Sequence, residues 1–95
     1  MTALWIAHVH VTDEESYAKY AALATGVIAE HGGNFLVRGG KYEQFEGKDR
    51  ARNVVARFPS LQAAHDCYHS DAYQHALSFA RHASERDLMI VEELG

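Results

Sequence analysis

The sequence predicts an α+β domain whose elements follow in the order β-α-β-β-α-β. Three observations point to it. Segments with strand-like and helix-like apolar spacing alternate along the chain. Glycine pairs, one proline and capping residues punctuate them. The strand-like segments also carry apolar side chains on both faces, which is the pattern of strands covered from both sides.

Residues 3–11 form the first predicted strand, rich in β-branched and aromatic side chains. Trp5, Ala7, Val9 and Val11 fall on one face, and Leu4, Ile6, His8 and His10 on the other. Thr12 to Glu15 fits a capping box, with Thr12 as N-cap and Glu15 reaching back. The first helix then runs to about His31. Its buried stripe is Tyr17, Tyr20, Ala21, Ala24, Val27, Ile28 and His31, at three- and four-residue spacing. Gly32 and Gly33 stop it.

Residues 34–38 are the second strand. Gly39-Gly40 bends the chain, and residues 41–46 alternate enough to continue as a ribbon before a turn at Gly47-Lys48-Asp49. Residues 52–58 are the third strand, ended by Pro59, and Ser60 caps the next helix. That helix covers about 61–69. A break and new cap at Ser70-Asp71 lead to a further helical segment over 72–82, with Leu61, Ala64, Tyr68, Tyr73, Ala76, Leu77 and Ala80 facing inward. Ser84 to Asp87 reads as a turn, and Leu88 to Val91 as the last strand.

This order is that of the ferredoxin-like fold, a four-stranded antiparallel sheet with helices on one face. The other sheet face has no third layer within the chain to cover it. A second copy of the same sheet is the simplest cover, so the expected assembly is a homodimer, a dimeric α+β barrel.

Composition narrows the function. The chain has 95 residues, read as a single domain over 1–95, and 47% of them are hydrophobic. The formal charge is −4, with no basic run, which argues against nucleic-acid or anionic-membrane binding. Cys67 is the only cysteine, so no intrachain disulfide forms, and its helical setting beside aromatic residues suits a small buried hydrophobe. No signal-peptide pattern and no bilayer-length apolar run is present, so a cytoplasmic location is expected.

Four sets of residues resemble a known family: Gly32-Gly33-Asn34-Phe35-Leu36-Val37-Arg38-Gly39-Gly40, Glu46-Gly47, Phe58 to Ala64, and Tyr68-His69-Ser70-Asp71-Ala72-Tyr73. Trp5 to Val9 and Tyr17 to Tyr20 fit as well. The chain is similar over nearly its whole length to the short proteins grouped as domain of unknown function 1330, in the dimeric α+β barrel superfamily. The resemblance implies the fold and dimerisation. It implies no activity, because the superfamily holds cofactor-free monooxygenases, lactone isomerases, haem-dependent enzymes and stress-response proteins. Two positions depart from the family pattern. Ser70-Asp71-Ala72 stands where members often have Ser-Pro-Glu, and Ala80, followed by Arg81, stands where they often carry an arginine.

Among the residues that could carry chemistry, Arg38 comes first. A permanently charged, planar guanidinium at a strand end beside glycines suits a carboxylate or phosphate. The alternative is a structural pairing with Glu92 or Glu93. His8 is the candidate for proton transfer, since its side chain titrates near neutrality. Against that stands a histidine merely satisfied by a backbone carbonyl. Trp5, Tyr20, Tyr68 and Tyr73 are candidate walls of a ligand pocket or plain core. Arg52 and Arg57 on the third strand are further candidates, with a structural role the stronger reading because strand arginines are commonly exposed. His65 and His69 are one helical turn apart but lack a third ligand, so no metal is assigned and no cofactor is expected. Two functions fit these residues. One is a homodimer that binds a small anionic or aromatic metabolite, for which, if it is an enzyme, cofactor-independent proton transfer or oxygenation is the natural chemistry. The other is a non-catalytic ligand-binding or protein-interaction module.

Overall fold

The computed structural model describes residues 1–95. Seven elements form: β1 (Ala3–Val11), α1 (Glu14–Glu30), β2 (Asn34–Arg38), β3 (Arg52–Phe58), α2 (Leu61–His69), α3 (Asp71–Ala80) and β4 (Ser84–Glu92). The strands make one antiparallel sheet in the order β2-β3-β1-β4. This is the ferredoxin-like arrangement, with β1 and β3 central. No helix is long and apolar enough to cross a membrane.

The core lies between the sheet and the helices. Ala3, Trp5, Ala7 and Val9 of β1 are buried there, whereas Leu4 and Ile6 are half-buried and His8 and His10 exposed on the open face. Trp5, 1% exposed, anchors an aromatic cluster with Phe58, Tyr68 and Tyr73. Tyr17, Tyr20, Ala24, Val27 and Ile28 give α1 its buried stripe. Cys67 is buried, and loss of hydration pushes its thiol up to about 11.

Ser70 divides the second helical segment as expected. Its hydroxyl donates to the Cys67 carbonyl at 2.7 Å and accepts from the Tyr73 N–H at 3.1 Å, so one side chain ends α2 and starts α3.

Three sequence expectations shift. Asp13, not Thr12, caps α1, its carboxylate accepting from the Ser16 N–H at 3.2 Å. The Thr12 and Asp13 N–H groups both donate to the Ala83 carbonyl, which holds Thr12 to the turn before β4 and moves the cap one residue on. Residues 41–46 do not form a ribbon. Gly39 and Gly40 both have positive φ, and the chain leaves the sheet there as an irregular loop. Ion pairs from Lys48 to Glu85 and from Arg50 to Asp87 tie that loop to β4, at the opposite edge of the sheet.

The third shift matters most. Ser84 to Asp87 is strand, not turn. β3 pairs with β1 only from Ala3 to Val9, whereas β4 pairs with it from Val11 opposite Ser84 to Ala3 opposite Glu92. Backbone hydrogen bonding to a central strand outweighs the polar composition of Ser-Glu-Arg-Asp.

Two glycines should respond oppositely to alanine. At Gly33 a Cβ would lie 2.6 Å from the Ile28 side chain and 2.9 Å from both the Ile28 carbonyl and the Phe58 ring. Gly33→Ala should cost about 1–3 kcal/mol in urea denaturation. Gly26, exposed within α1, has nothing within 4 Å of its Cβ position. There alanine should stabilise by about 0.5–1 kcal/mol.

Candidate anion-binding cleft

The sheet brings three arginines to one end of its helix-covered face. Arg52 on β3 and Arg86 on β4 both pair with Val9 of β1, so they flank it on the same face. Arg38 on β2 pairs with Val54, two residues along from Arg52 on that same face.

Arg38 reaches this face through an irregularity. The β2–β3 register shifts between Phe35 and Val37, leaving Leu36 as the extra residue. Without it, strict alternation would place Phe35 and Arg38 on opposite faces. With it, both line the same cleft, and the Arg38 guanidinium sits 4.8 Å from the Phe35 ring centre.

The cleft lies between α1 and the sheet. Tyr17, Tyr20 and Ala24 of α1 form one wall, and Trp5, Phe35 and Val54 another. It spans about 420 Å³ counting its open mouth, and most of that space is too narrow to admit a water molecule. No Asp, Glu or His lines it.

Each arginine lies against a cleft ring. Arg52 is 5.2 Å from the centre of Tyr17 and Arg86 is 4.6 Å from that of Tyr20. Both distances are within cation–π range. None of the three makes an ion pair with a carboxylate. Glu93, a partner considered for Arg38, is held instead by Arg57 on the open face through two hydrogen bonds of 2.7 and 3.1 Å.

Arg86 is the most constrained of the three. Its Nη2 donates to the Tyr20 hydroxyl at 2.9 Å and to the Tyr73 hydroxyl at 3.4 Å, and its Nε is buried without a partner. Tyr20 and Tyr73 share a hydrogen bond of 2.7 Å. Burial raises both phenols, which the nearby guanidinium only partly offsets, and Tyr17 shifts up for the same reason. For Arg86, burial favours loss of charge but the two phenols outweigh it, so it is held above the ordinary range. At neutral pH the cluster is thus one cation and neutral phenols, with no internal counter-ion.

The sequence-derived residues divide around this cleft. Trp5, Tyr20 and Arg38 line it, and Tyr73 stands behind Tyr20. Tyr68 packs on Trp5 but borders shallow depressions beside β4 rather than the cleft. His8 is exposed on the opposite sheet face, its Nδ1 2.7 Å from the Asn53 side-chain oxygen. The structure therefore does not bring His8 and Arg38 to one space within the chain. His65 and His69 have ring centres 4.5 Å apart, and no group of three or more potential ligands gathers around a metal position. Arg81, next to the family arginine position, bonds Gln74 at the surface. Arg86 and Tyr17 were missed as site residues. The available signal for Arg86 was the nine-residue length of β1, whose last residues, His10 and Val11, are paired by β4 alone.

The family model for DUF1330, a domain of unknown function, matches residues 2–94. The chain belongs to this DUF1330 family. No curated protein matches it. Among solved structures, a protein of unknown function from Rhodopseudomonas palustris is similar, with 18% identity and a TM-score of 0.79 over 99% of this chain and 83% of that one. A dimeric ferredoxin-like protein of unknown function from Jannaschia sp. CCS1 has 10% identity and a TM-score of 0.75, over 98% of this chain and 100% of its own. SnoaB, a cofactor-independent oxygenase from Streptomyces nogalater, has 12% identity and a TM-score of 0.70, covering 99% of this DUF1330 chain and 94% of SnoaB. At these identities the likeness is one of fold.

The raised phenols give a pH prediction for this DUF1330 domain. A group whose folded pKa exceeds its unfolded value of 10.0 keeps its proton in the native state after the unfolded chain has lost it. Stability contributed by Tyr17, Tyr20 and Tyr73 should be fully present below pH 10 and fall as pH rises above it. Absorbance at 295 nm should show these three of the five tyrosines ionising only as the chain unfolds. Five phenols titrating reversibly before unfolding would contradict the buried cluster.

Proposed function

We propose that this protein binds a small organic anion with a flat, conjugated body in the cleft formed by Arg38, Arg52 and Arg86. One observation carries the reading: three guanidiniums face one aromatic-walled cleft that no carboxylate enters. Arg52 and Arg86 are half-buried and Arg38 is exposed, so the cost of leaving them unpaired is greatest for the first two, and an anionic ligand supplies the missing partner. The rings favour a planar body, and the narrow space limits its size.

The working assembly is a homodimer. The open sheet face carries Leu4, Ile6, Val37, Val55, Met89 and Val91, and nothing in the chain covers them. The dimeric ferredoxin-like neighbour from Jannaschia supports the same use of the fold. Sedimentation should give a dimer at micromolar concentration, and Met89→Glu, at the centre of that face, should shift it to monomer. A wild-type monomer would remove the dimer from the account.

A catalytic extension is cofactor-independent oxygenation of an activated carbon acid, supported by the fold shared with SnoaB. The cleft holds no His or carboxylate to take a proton. Its substrate would therefore be one already ionised, or readily ionised, beside the arginines. His8 lies on the face assigned to the partner sheet, so proton transfer by His8 would serve a ligand between the sheets rather than in the cleft.

Anion binding is tested with benzoate, salicylate, acetate and benzamide. At about ten times Kd, benzoate or salicylate should raise the Tm by roughly 5–10 °C. Acetate and benzamide should do much less. Arg38→Ala or Arg52→Ala should weaken the aromatic carboxylates. Equal stabilisation by benzoate and benzamide, or the full benzoate effect in both variants, would count against the cleft.

A further inference from the structure

We propose that the Tyr20 hydroxyl and the Arg86 Nε–H together form a two-donor site for one carboxylate oxygen of the ligand, with Tyr73 as its positioning residue. This rests on the anion-binding reading above and adds where the charged head sits.

The argument is a count of protons. Tyr73 is fully buried, at 0% exposure, so no water reaches its hydroxyl. Two groups lie within hydrogen-bond distance of that oxygen, the Tyr20 hydroxyl at 2.7 Å and Arg86 Nη2 at 3.4 Å. A guanidinium only donates, so the Tyr73 proton can go only to Tyr20. Were the bond reversed, the Tyr73 O–H would be a buried donor without an acceptor.

With the direction set, the Tyr20 oxygen accepts from Tyr73 and from Arg86 at 2.9 Å. Both of its lone pairs are used, and its own proton has no acceptor in the chain. Tyr20 is 6% exposed and lines the cleft, so the cleft is where an acceptor for that proton would lie. Arg86 lines the same cleft, and its Nε–H, closed to solvent and without a partner, is a second donor, one that a ligand oxygen must uncover on entering. Two unspent donors on adjacent groups, one of them on a cation, match an anionic oxygen rather than a neutral one. The two accepted bonds also polarise the Tyr20 hydroxyl, which the Tyr73 proton holds in place.

The donor role separates from a structural one by comparing two variants. Tyr20→Phe and Tyr73→Phe both remove the Tyr20–Tyr73 hydrogen bond, but only the first removes the donor to the ligand. In calorimetric titration with benzoate, Tyr20→Phe should weaken binding about tenfold or more. Tyr73→Phe should weaken it several times less. Equal losses in the two, or none in either, would overturn the proposal while leaving anion binding standing. If wild type binds no benzoate, the anion-binding reading falls and this one with it. A measurement on wild type stands apart from variant folding. With tyrosine labelled by ¹³C at Cζ, benzoate should move the Tyr20 signal most. A shift confined to other tyrosines would overturn the assignment.

Discussion

Arg86 spends its hydrogen bonds on two phenols and none on a carboxylate. That choice constrains much of the domain. A guanidinium loses hydration on entering the space under α1, and the phenols return part of that loss without cancelling the charge. Tyr20 must come from α1, Tyr73 from α3 and Arg86 from β4, so the cluster also ties two helices to an edge strand. The uncompensated charge is what turns an otherwise ordinary aromatic core into a place for an anion.

Small backbone features set the rest of the cleft. The extra residue at Leu36 rotates Arg38 onto the helix-covered face, where alternation alone would separate it from Phe35. Pairing of β3 and β4 with the same residue of β1, Val9, places Arg52 and Arg86 symmetrically about it. Each guanidinium then lies near a ring from the cleft wall, and none of them pairs with a carboxylate. The ion-paired carboxylates of the sheet lie elsewhere. Glu85, Asp87 and Glu93 pair with Lys48, Arg50 and Arg57 on the far side of the sheet.

Most of the fold was legible because it is written in local patterns. The stripe of α1, the Ser70 break and the two-sided apolar character of β1 each follow from spacing and capping. The segment from Ser84 to Asp87 was not legible, since its polar composition reads as a turn and only its neighbour makes it a strand. Arg86 was lost with it. Arg38, Trp5, Tyr20 and Tyr73 were singled out from residue type, but which face each takes depends on register and on one bulge. Alternation did separate His8 from Trp5, although nothing in it showed that the arginines belong on the Trp5 side.

The central claim is that the cleft guanidiniums await an anion, and Arg86 is where it can be read most directly. The ¹⁵Nε–H signal of Arg86 should move strongly on titration with benzoate and become slower to exchange with solvent, as an unpartnered donor gains an acceptor. The signals of Arg57, already bound to Glu93, and of Arg81, at the surface, should stay in place. An Arg86 signal unmoved at benzoate concentrations that saturate the protein would contradict the account.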